Sequence, residues 1–194
     1  MKIDNLYESL LEEGVSPVLF HATLAENALR ILSTDTFRMS RITNDRDKFL
    51  NMGKKFFMST ARTRITKLRE WKEKSNDHVA LFVLNGVKLG NNFKGSAVDF
   101  FGIINGVGGG SSVNSEQEDR IVSDKSAIQN FSKYVIRLDL FSKKGKKPSK
   151  QDIGLIKLRG IPVYFYNDYQ SFTVGNTKNA INLLDVDLDK YIGE

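Results

Sequence analysis

Residues 79–84 have the sequence Val-Ala-Leu-Phe-Val-Leu. Six consecutive apolar residues, rich in aromatic and β-branched side chains and free of Gly and Pro, predict a strand that is buried on both faces. Outward from this stretch, other apolar or alternating segments predict further strands along most of the chain. These segments are 17–21, 37–40, 55–59, 97–104, 118–122, 134–141, 161–166 and 171–174.

Helices are predicted mainly toward the N-terminus. Residues 4–13 form an amphipathic pattern, and Thr23 with Glu26 has the spacing of a capping box that would start a second helix. A basic helix is predicted over 64–74. Strands and helices do not alternate as a doubly wound parallel sheet requires. We therefore predict one α+β domain over residues 1–194, built from mainly antiparallel sheets with peripheral helices.

The composition favours a protein that binds polyanions and resides in a reducing compartment. The 29 basic residues exceed the 23 acidic ones, which gives a formal charge of +6. Such a surplus favours nucleic acid or a dinucleotide as a partner, although it also serves solubility alone. The chain has no Cys, and none of its apolar runs approaches the roughly 20 residues of a membrane span. We expect a cytoplasmic protein without disulfides and without a membrane partner.

The first cluster of candidate functional side chains lies where a strand meets a helix. His21 ends the strand 17–21, and Ala22 and Thr23 follow it. Backbone amides at such a turn attract anions, and an imidazole can hydrogen-bond a ligand hydroxyl. Taken alone, His21 is more simply a histidine that is satisfied locally at the end of its strand.

The second cluster ends another strand. Phe57 lies in an aromatic segment that finishes with Ser59 and Thr60, and Arg62 follows. Hydroxyl groups at a strand end can orient a carboxylate or a sugar, and an arginine can pair with a phosphate. The alternative is that these residues only cap a helix or form a turn.

The third cluster follows the glycine-rich segment 106–110. Glu116 and Glu118 are two residues apart, so both carboxylates point to the same side of an extended strand. Two like charges this close cost stability unless a ligand uses them. A glutamate beside a sugar can stabilise an oxocarbenium-like transition state. At an exposed sheet edge, by contrast, both carboxylates would simply be solvated.

Other common site patterns do not fit the sequence. The segment 106–110 lacks the Lys-Ser/Thr ending of a P-loop and the βαβ context of a dinucleotide fingerprint. His21 and His78 are too few and too badly spaced for a His-based zinc site, so we expect no metal. Ser59 does not lie in a G-x-S-x-G nucleophile elbow.

Taken in order, the three clusters resemble the three motifs of the ADP-ribosyltransferase superfamily. Residues 20–23 (Phe-His-Ala-Thr) are similar to the His-Gly-Thr/Ser strand end of its diphtheria-toxin and poly(ADP-ribose) polymerase branch. Residues 53–60 resemble the second motif, an aromatic strand ending in small hydroxyl residues, and residues 116–121 resemble the third, the E-x-E strand. The overall run also resembles small phage-encoded members. The motifs span residues 20–121, just over half of the chain.

The resemblance implies a split β-sandwich of two mainly antiparallel sheets with peripheral helices. It also implies a mono-ADP-ribosyltransferase that cleaves NAD and transfers ADP-ribose to a macromolecular acceptor, which is a host protein or nucleic acid if the chain is phage-encoded. Glu118 would stabilise the positive charge that forms as the glycosidic bond breaks, and Glu116 would position the incoming nucleophile.

Seven further residues would then bind NAD. His21 would hold a ribose hydroxyl, the backbone of Ala22 would contact the nicotinamide amide, and Ser59 would orient Glu118. Phe57 is a candidate for stacking on the nicotinamide, in competition with other aromatic residues. The implied NAD-binding set is His21, Ala22, Thr23, Phe57, Ser59, Thr60 and Arg62.

Two other functions are compatible with the same pattern. An RNA 2′-phosphotransferase shares the fold and relies on basic residues to hold a phosphate. A non-catalytic basic module on this fold would bind nucleic acid or a protein partner in a salt-sensitive manner, without using NAD or Glu118.

Overall fold

A computed structural model describes residues 15–43, 53–64, 68, 78–98, 118–142 and 147–190. Several predictions fall outside these ranges: the helix 4–13, Glu116, the glycine-rich segment 106–110, most of the helix 64–74 and most of the strand 97–104. Within them the chain is α+β and mostly sheet, as predicted. None of the helices in these ranges is long and apolar enough to cross a membrane.

Eleven strands are present in the described residues. They are β1 (Val18–Leu24), β2 (Thr36–Arg38), β3 (Ser40–Arg41), β4 (Phe56–Ala61), β5 (His78–Asn85), β6 (Lys94–Val98), β7 (Glu118–Ser123), β8 (Ala127–Gln129), β9 (Val135–Ser142), β10 (Val163–Tyr166) and β11 (Ala180–Asn182). The α-helices of the same ranges are α1 (Ala25–Thr34), α2 (Gly86–Asn92), α3 (Lys150–Arg159) and α4 (Tyr169–Val174).

Nine of these strands form one sheet. Their order is β11-β10-β9-β5-β1-β4-β7-β6, with β3 paired to β4, while β2 and β8 form a separate two-stranded sheet. β9 and β10 run parallel, and the other pairs are antiparallel. The large sheet is therefore mixed, with antiparallel pairing dominant.

The apolar stretch 79–84 forms most of β5, at the centre of the large sheet. Leu81, Phe82 and Leu84 are fully buried there, because β1 and β9 flank the strand and side chains cover both of its faces. Phe82 and Leu84 belong to the main core, and Leu81 belongs to a smaller core on the opposite face. Burial on both faces explains why this strand lacks the alternation of a half-exposed one.

The large sheet narrows between β1 and β4. β1 pairs with β5 along its whole length, and β4 pairs with β7 along its whole length. Between β1 and β4, by contrast, the register consists of Phe20 opposite Ala61. We call this point the β1–β4 junction, since it is where the two halves of the sheet meet.

The predicted capping box at Thr23 is wrong. Thr23 lies inside β1, opposite Ala80, and is mostly buried. The residue preceding α1 is Leu24, whose side chain makes no capping hydrogen bond. The reason is that the β1–β5 ladder continues as far as Leu24, which keeps Thr23 in the extended conformation.

Two strand predictions also need correction. The segment 171–174 is helical and belongs to α4, because the Asp168 carboxylate accepts a hydrogen bond from the Ser171 amide at 2.7 Å and caps the helix. The segment 37–40 divides at Met39 into two strands, since β2 pairs with β8 whereas β3 pairs with β4.

Candidate functional site

His21 follows the β1–β4 junction directly, and its ring bridges the two strands where their backbone pairing ends, a point that we call the opening. Its Nδ1 lies 2.8 Å from the backbone carbonyl oxygen of Ser59 in β4. Because a carbonyl oxygen can only accept, Nδ1 carries the proton in this hydrogen bond, and Nε2 is an acceptor when the ring is neutral. The ring also packs edge-on against Phe37, with 4.9 Å between centroids. The imidazole therefore links the first and second candidate motifs.

A cavity of about 430 Å³ lies on the His21 side of the sheet. β1, α1, β2 and β3 form its walls, and its volume falls within the roughly 300–1,000 Å³ range of small-molecule sites. Two guanidinium groups suit phosphate, while hydroxyl and amide groups suit a sugar. The polar side chains in the lining are His21, Thr23, Asn27, Arg30, Thr34, Thr36, Arg38 and Ser40.

Helix α1 contributes a polar stripe to this cavity. Asn27, Arg30 and Thr34 are three and four residues apart, which puts them on one face of the helix. Arg30 donates to the side-chain oxygen of Asn27 at 2.9 Å. Ala28 and Leu32 bury the opposite face in the main core. Sequence reasoning missed Asn27, Arg30 and Arg38, although polar residues spaced in this way on the helix after His21 were a usable signal.

Glu118 is the first residue of β7, one strand beyond Ser59. It lies opposite Ala61, which is itself opposite Phe20, so the three residues form a row across β1, β4 and β7. The Glu118 side chain is 15% exposed, and its Oε1 accepts a hydrogen bond from Nε of Arg120 at 3.1 Å. The carboxylate is thus held against the protein.

The imidazole and the carboxylate leave the sheet from opposite faces. Phe20 and Glu118 share a face because they belong to one cross-strand row, and His21, the neighbour of Phe20, points the other way. His21 contacts Phe37 of the main core, whereas Phe20 packs against the smaller core. Glu118 accordingly lies across the junction from the cavity and does not line it.

Arg120 contacts two residues of the candidate site at once. Besides Glu118, its guanidinium lies over the ring of Phe57, with 4.5 Å from Cζ to the ring centroid. The Arg120 side chain is only 7% exposed. A guanidinium therefore covers one face of Phe57, the ring that the resemblance assigns to nicotinamide stacking.

Asp119 links the segments that surround the β1–β4 junction through hydrogen bonds. Its side chain is fully buried, Oδ2 accepts from the Ser16 amide at 2.9 Å, and Oδ1 accepts from Nε of Arg62 at 2.9 Å. Thr60 is also fully buried, and its hydroxyl donates to the Asp119 carbonyl oxygen. Arg62 and Thr60, two candidates for NAD binding, are thus engaged in holding β1, β4 and β7 together.

The remaining candidates have mixed surroundings. Ala22 is buried in the smaller core, and Thr23 lines the cavity. Ser59 is half-buried and contributes its backbone carbonyl to the His21 contact. Glu116 lies outside the described residues.

A buried ionic cluster lies beyond the end of β4, on the Glu118 side of the sheet. The fully buried carboxylate of Asp139 pairs with Arg64 and with Nη2 of Arg137, the latter at 3.2 Å. The Tyr166 hydroxyl lies 3.5 Å from Oδ1 of Asp139. Burial, followed by the negative charge of Asp139, raises the pKa of Tyr166 to about 12. Arg64 also donates to the carbonyl of Phe172 at 2.7 Å, which anchors α4.

No protein-family model matches the sequence, and no curated protein matches it.

Proposed function

We propose that the chain is an NAD-dependent mono-ADP-ribosyltransferase, which cleaves NAD and passes ADP-ribose to a macromolecular acceptor. One observation carries the proposal: the three candidate motifs, which are distant in sequence, lie on the adjacent strands β1, β4 and β7 beside the β1–β4 junction. His21 hydrogen-bonds Ser59 across the opening, and Glu118 stands on the next strand in the row of Phe20 and Ala61. The narrow junction also supports the split sheet that the resemblance implies.

The cavity suits the adenylate half of NAD. Arg30 and Arg38 supply positive charge for the pyrophosphate, and Asn27 and Thr23 supply hydrogen-bonding groups for a ribose. His21 stands at the junction end of the cavity, where its Nε2 can accept a hydrogen bond from a ribose hydroxyl. NAD bound in this way points its nicotinamide end toward the opening between β1 and β4.

Glu118 would act on the nicotinamide ribose from the other side of the opening. Arg120 holds Oε1, so Oε2 can accept the ribose 2′-hydroxyl without breaking that pair. The glycosidic C–N bond breaks with its electron pair leaving on nicotinamide, and the carboxylate stabilises the cation that develops at the ribose. The acceptor nucleophile then bonds to the ribose C1′ and loses its proton. Because His21 and Glu118 point to opposite faces, this proposal requires the nicotinamide ribose to reach the Glu118 face beyond the end of the β1–β4 pairing.

The Glu118→Gln variant tests this assignment. Loss of the carboxylate charge at nearly constant size should abolish nicotinamide release from NAD, while NAD should still raise the melting temperature. Glu26→Gln is the matched control, since Glu26 is exposed in the first turn of α1. Full activity of Glu118→Gln would contradict the catalytic assignment. A wild-type protein that neither binds nor cleaves NAD would contradict the function.

The opposite-face geometry favours a second candidate, a non-catalytic basic module on the same fold. A protein that binds a polyanion without catalysis does not need His21 and Glu118 to line the same cavity. This alternative predicts salt-sensitive polyanion binding that is unaffected by NAD and by Glu118→Gln. Since Arg30 and Arg38 could also hold a 2′-phosphate, a product assay on 2′-phosphorylated RNA separates the phosphotransferase from both.

A further inference from the structure

Exposed basic side chains crowd one corner of the molecule. Arg38 and Arg41 extend from β2 and β3, Lys55 precedes β4, and Lys125 lies in the turn between β7 and β8. All four are exposed. We call these four residues the basic corner.

Backbone pairing places Lys125 beside β2. Arg38 is opposite Ala127 in the β2–β8 ladder, and the amide of Met39 donates to the carbonyl of Ser126 at 2.9 Å. Lys125 immediately precedes that carbonyl. The turn that carries Lys125 therefore runs alongside the end of β2.

The other two members are held together in the same way. Arg41 is opposite Phe56 in the β3–β4 ladder, and the amide of Ile42 donates to the carbonyl of Lys55 at 2.9 Å. Because β2 and β3 are separated by Met39 alone, the backbone segments that carry the two pairs of basic residues are neighbours.

Among the described residues, the acidic charge beside the corner does not cancel this surplus. Asp124 is exposed beside Lys125. Its carboxylate pairs with Lys54 at 2.6 Å, and it also interacts with the backbone and the charge of Lys55. The Lys54–Asp124 pair is neutral as a unit, so the basic corner keeps its positive charge. Arg38 also lines the cavity, and this connects the corner with the mouth of the candidate site.

The corner has the chemistry of a phosphate-backbone contact. Protein–protein interfaces centre on apolar and aromatic side chains, whereas nucleic-acid backbones are held mainly by Arg, Lys and polar groups. The large apolar residues that are exposed in the described part of the chain lie on other elements. They are Val18, Val87, Ile136, Leu158 and Val174.

We infer that the basic corner docks the phosphate backbone of a nucleic acid, and that this nucleic acid is the acceptor of ADP-ribose. The second half of the inference rests on the proposed function. A strand bound along Arg41, Lys55 and Lys125 would run past Arg38 to the mouth of the cavity. Its bases or sugars would then lie beside the cavity that we assign to NAD.

Neutralising the corner outside the cavity gives a direct test. The triple variant Arg41→Gln, Lys55→Gln, Lys125→Gln leaves Arg38 in place. Its matched control is Lys88→Gln, Lys178→Gln, Lys190→Gln, which removes the same charge from exposed positions on α2, near β11 and in the segment after β11. The probes are fluorescent single-stranded DNA, single-stranded RNA and duplex DNA of mixed sequence, titrated over a range of salt concentrations.

The expected loss follows from counterion release. Three lost phosphate contacts reduce the salt slope by about 2 for single strands, and affinity falls roughly 100-fold near 0.1 M salt. The control should bind like the wild type. Equal binding by corner and control variants would overturn the docking surface. If the triple variant fails to match the wild-type melting temperature, the three single variants are measured, each with an expected loss of roughly 5-fold.

Label transfer tests the acceptor separately from NAD cleavage. Nicotinamide release reports the proposed function, and transfer of label from adenine-labelled NAD to each probe reports the inference. Transfer to DNA or RNA, weakened in the corner variant and kept in the control, supports the inference and identifies the acceptor. Nicotinamide release with label found on lysate proteins alone would overturn it while leaving the proposed function standing. Absence of any NAD cleavage would remove the function and, with it, the acceptor assignment.

Discussion

Arg120 holds the carboxylate of Glu118 at 3.1 Å from within the same strand. The two residues are two positions apart in β7, so their side chains leave the same face of the sheet. Both are largely buried, and the guanidinium is fixed further by its position over Phe57. Arg120 therefore restricts the orientation of the candidate catalytic carboxylate, which makes it a positioning residue under the proposed function.

Replacing Arg120 should affect turnover more than binding. We expect Arg120→Gln to lower kcat for nicotinamide release roughly 10–100-fold, because a misplaced carboxylate no longer meets the ribose. KM for NAD should change little, since Arg120 does not line the cavity. Arg120→Lys keeps the charge but not the planar stacking group, so it should recover part of the rate. Steady-state kinetics check this, and equal losses in both variants, or a change confined to KM, would contradict the role.

His21 should contribute to NAD affinity through its side chain. We expect His21→Ala to weaken binding by about 0.5–1.5 kcal/mol, the net value of one hydrogen bond, which corresponds to a factor of roughly 2–10 in Kd. Glu26→Gln is again the control, because Glu26 is exposed and does not line the cavity. Calorimetric titration with NAD measures both. Unchanged affinity in His21→Ala would remove the imidazole from the site.

Strand interiors could be predicted from the sequence better than strand ends. The run 79–84 predicts β5 because a strand covered on both faces is the structure in which six consecutive apolar side chains are all removed from water. Thr23 shows where prediction from local sequence fails. Its capping-box spacing is a local pattern, but β1 continues through Thr23 because it pairs with Ala80, a residue distant in sequence. The segment 171–174 shows the reverse case, since β-favouring residues become helical once Asp168 caps them and Gly175, with φ of +71°, ends the helix.

For the candidate site as well, local sequence predicted one part and not the other. Which residues carry chemistry could be inferred from short motifs, and His21, Ser59 and Glu118 do lie on neighbouring strands. Which faces they occupy depends on the register of Phe20 opposite Ala61, a pairing between residues 41 positions apart. No periodicity within a single segment encodes that register. For the same reason, the engagement of Arg62 and Thr60 with Asp119 could not be predicted.

Tyr166 should make stability depend on pH in the alkaline range. Its pKa is raised from 10.0 to about 12 in the folded protein, first by burial and then by the charge of Asp139. The folded state thus holds the phenolic proton more tightly than the unfolded state. This contribution is complete below about pH 10 and is lost as the pH rises toward 12. The total loss is on the order of 3 kcal/mol, since the shift is about two pKa units and each unit corresponds to about 1.4 kcal/mol.

The Tyr166→Phe variant isolates this effect from other groups that titrate at high pH. At neutral pH we expect nearly wild-type stability, because the hydroxyl contact with Asp139 is long at 3.5 Å. Near pH 11.5 the variant should be more stable than the wild type, since Phe has no proton to lose. Urea unfolding at both pH values measures the difference. A constant difference between the two proteins across this range would contradict the assignment.

Replacing two helical glycines with Ala, one at a time, should change the free energy of unfolding in opposite directions. A Cβ at Gly86, the first residue of α2, would overlap the backbone carbonyl oxygen of Ser16, whereas a Cβ at Gly154 in α3 meets no atom within 4 Å. Gly154→Ala should raise the free energy of unfolding by about 0.5–1 kcal/mol, because Ala loses less backbone entropy in a helix. Gly86→Ala should lower it by about 1–3 kcal/mol or more, since the obstructing atom is backbone and cannot rotate away.

Urea unfolding of both variants checks the pair, with Gly154→Ala controlling for the general effect of the substitution. Gly86→Ala should also weaken NAD-induced stabilisation. The amide of Ser16 donates to Asp119, so displacing Ser16 disturbs the anchor that holds the start of β1 against β7 beside the junction. Wild-type stability in Gly86→Ala would show that the segment before β1 can move without cost, and that Asp119 does not fix the junction through Ser16.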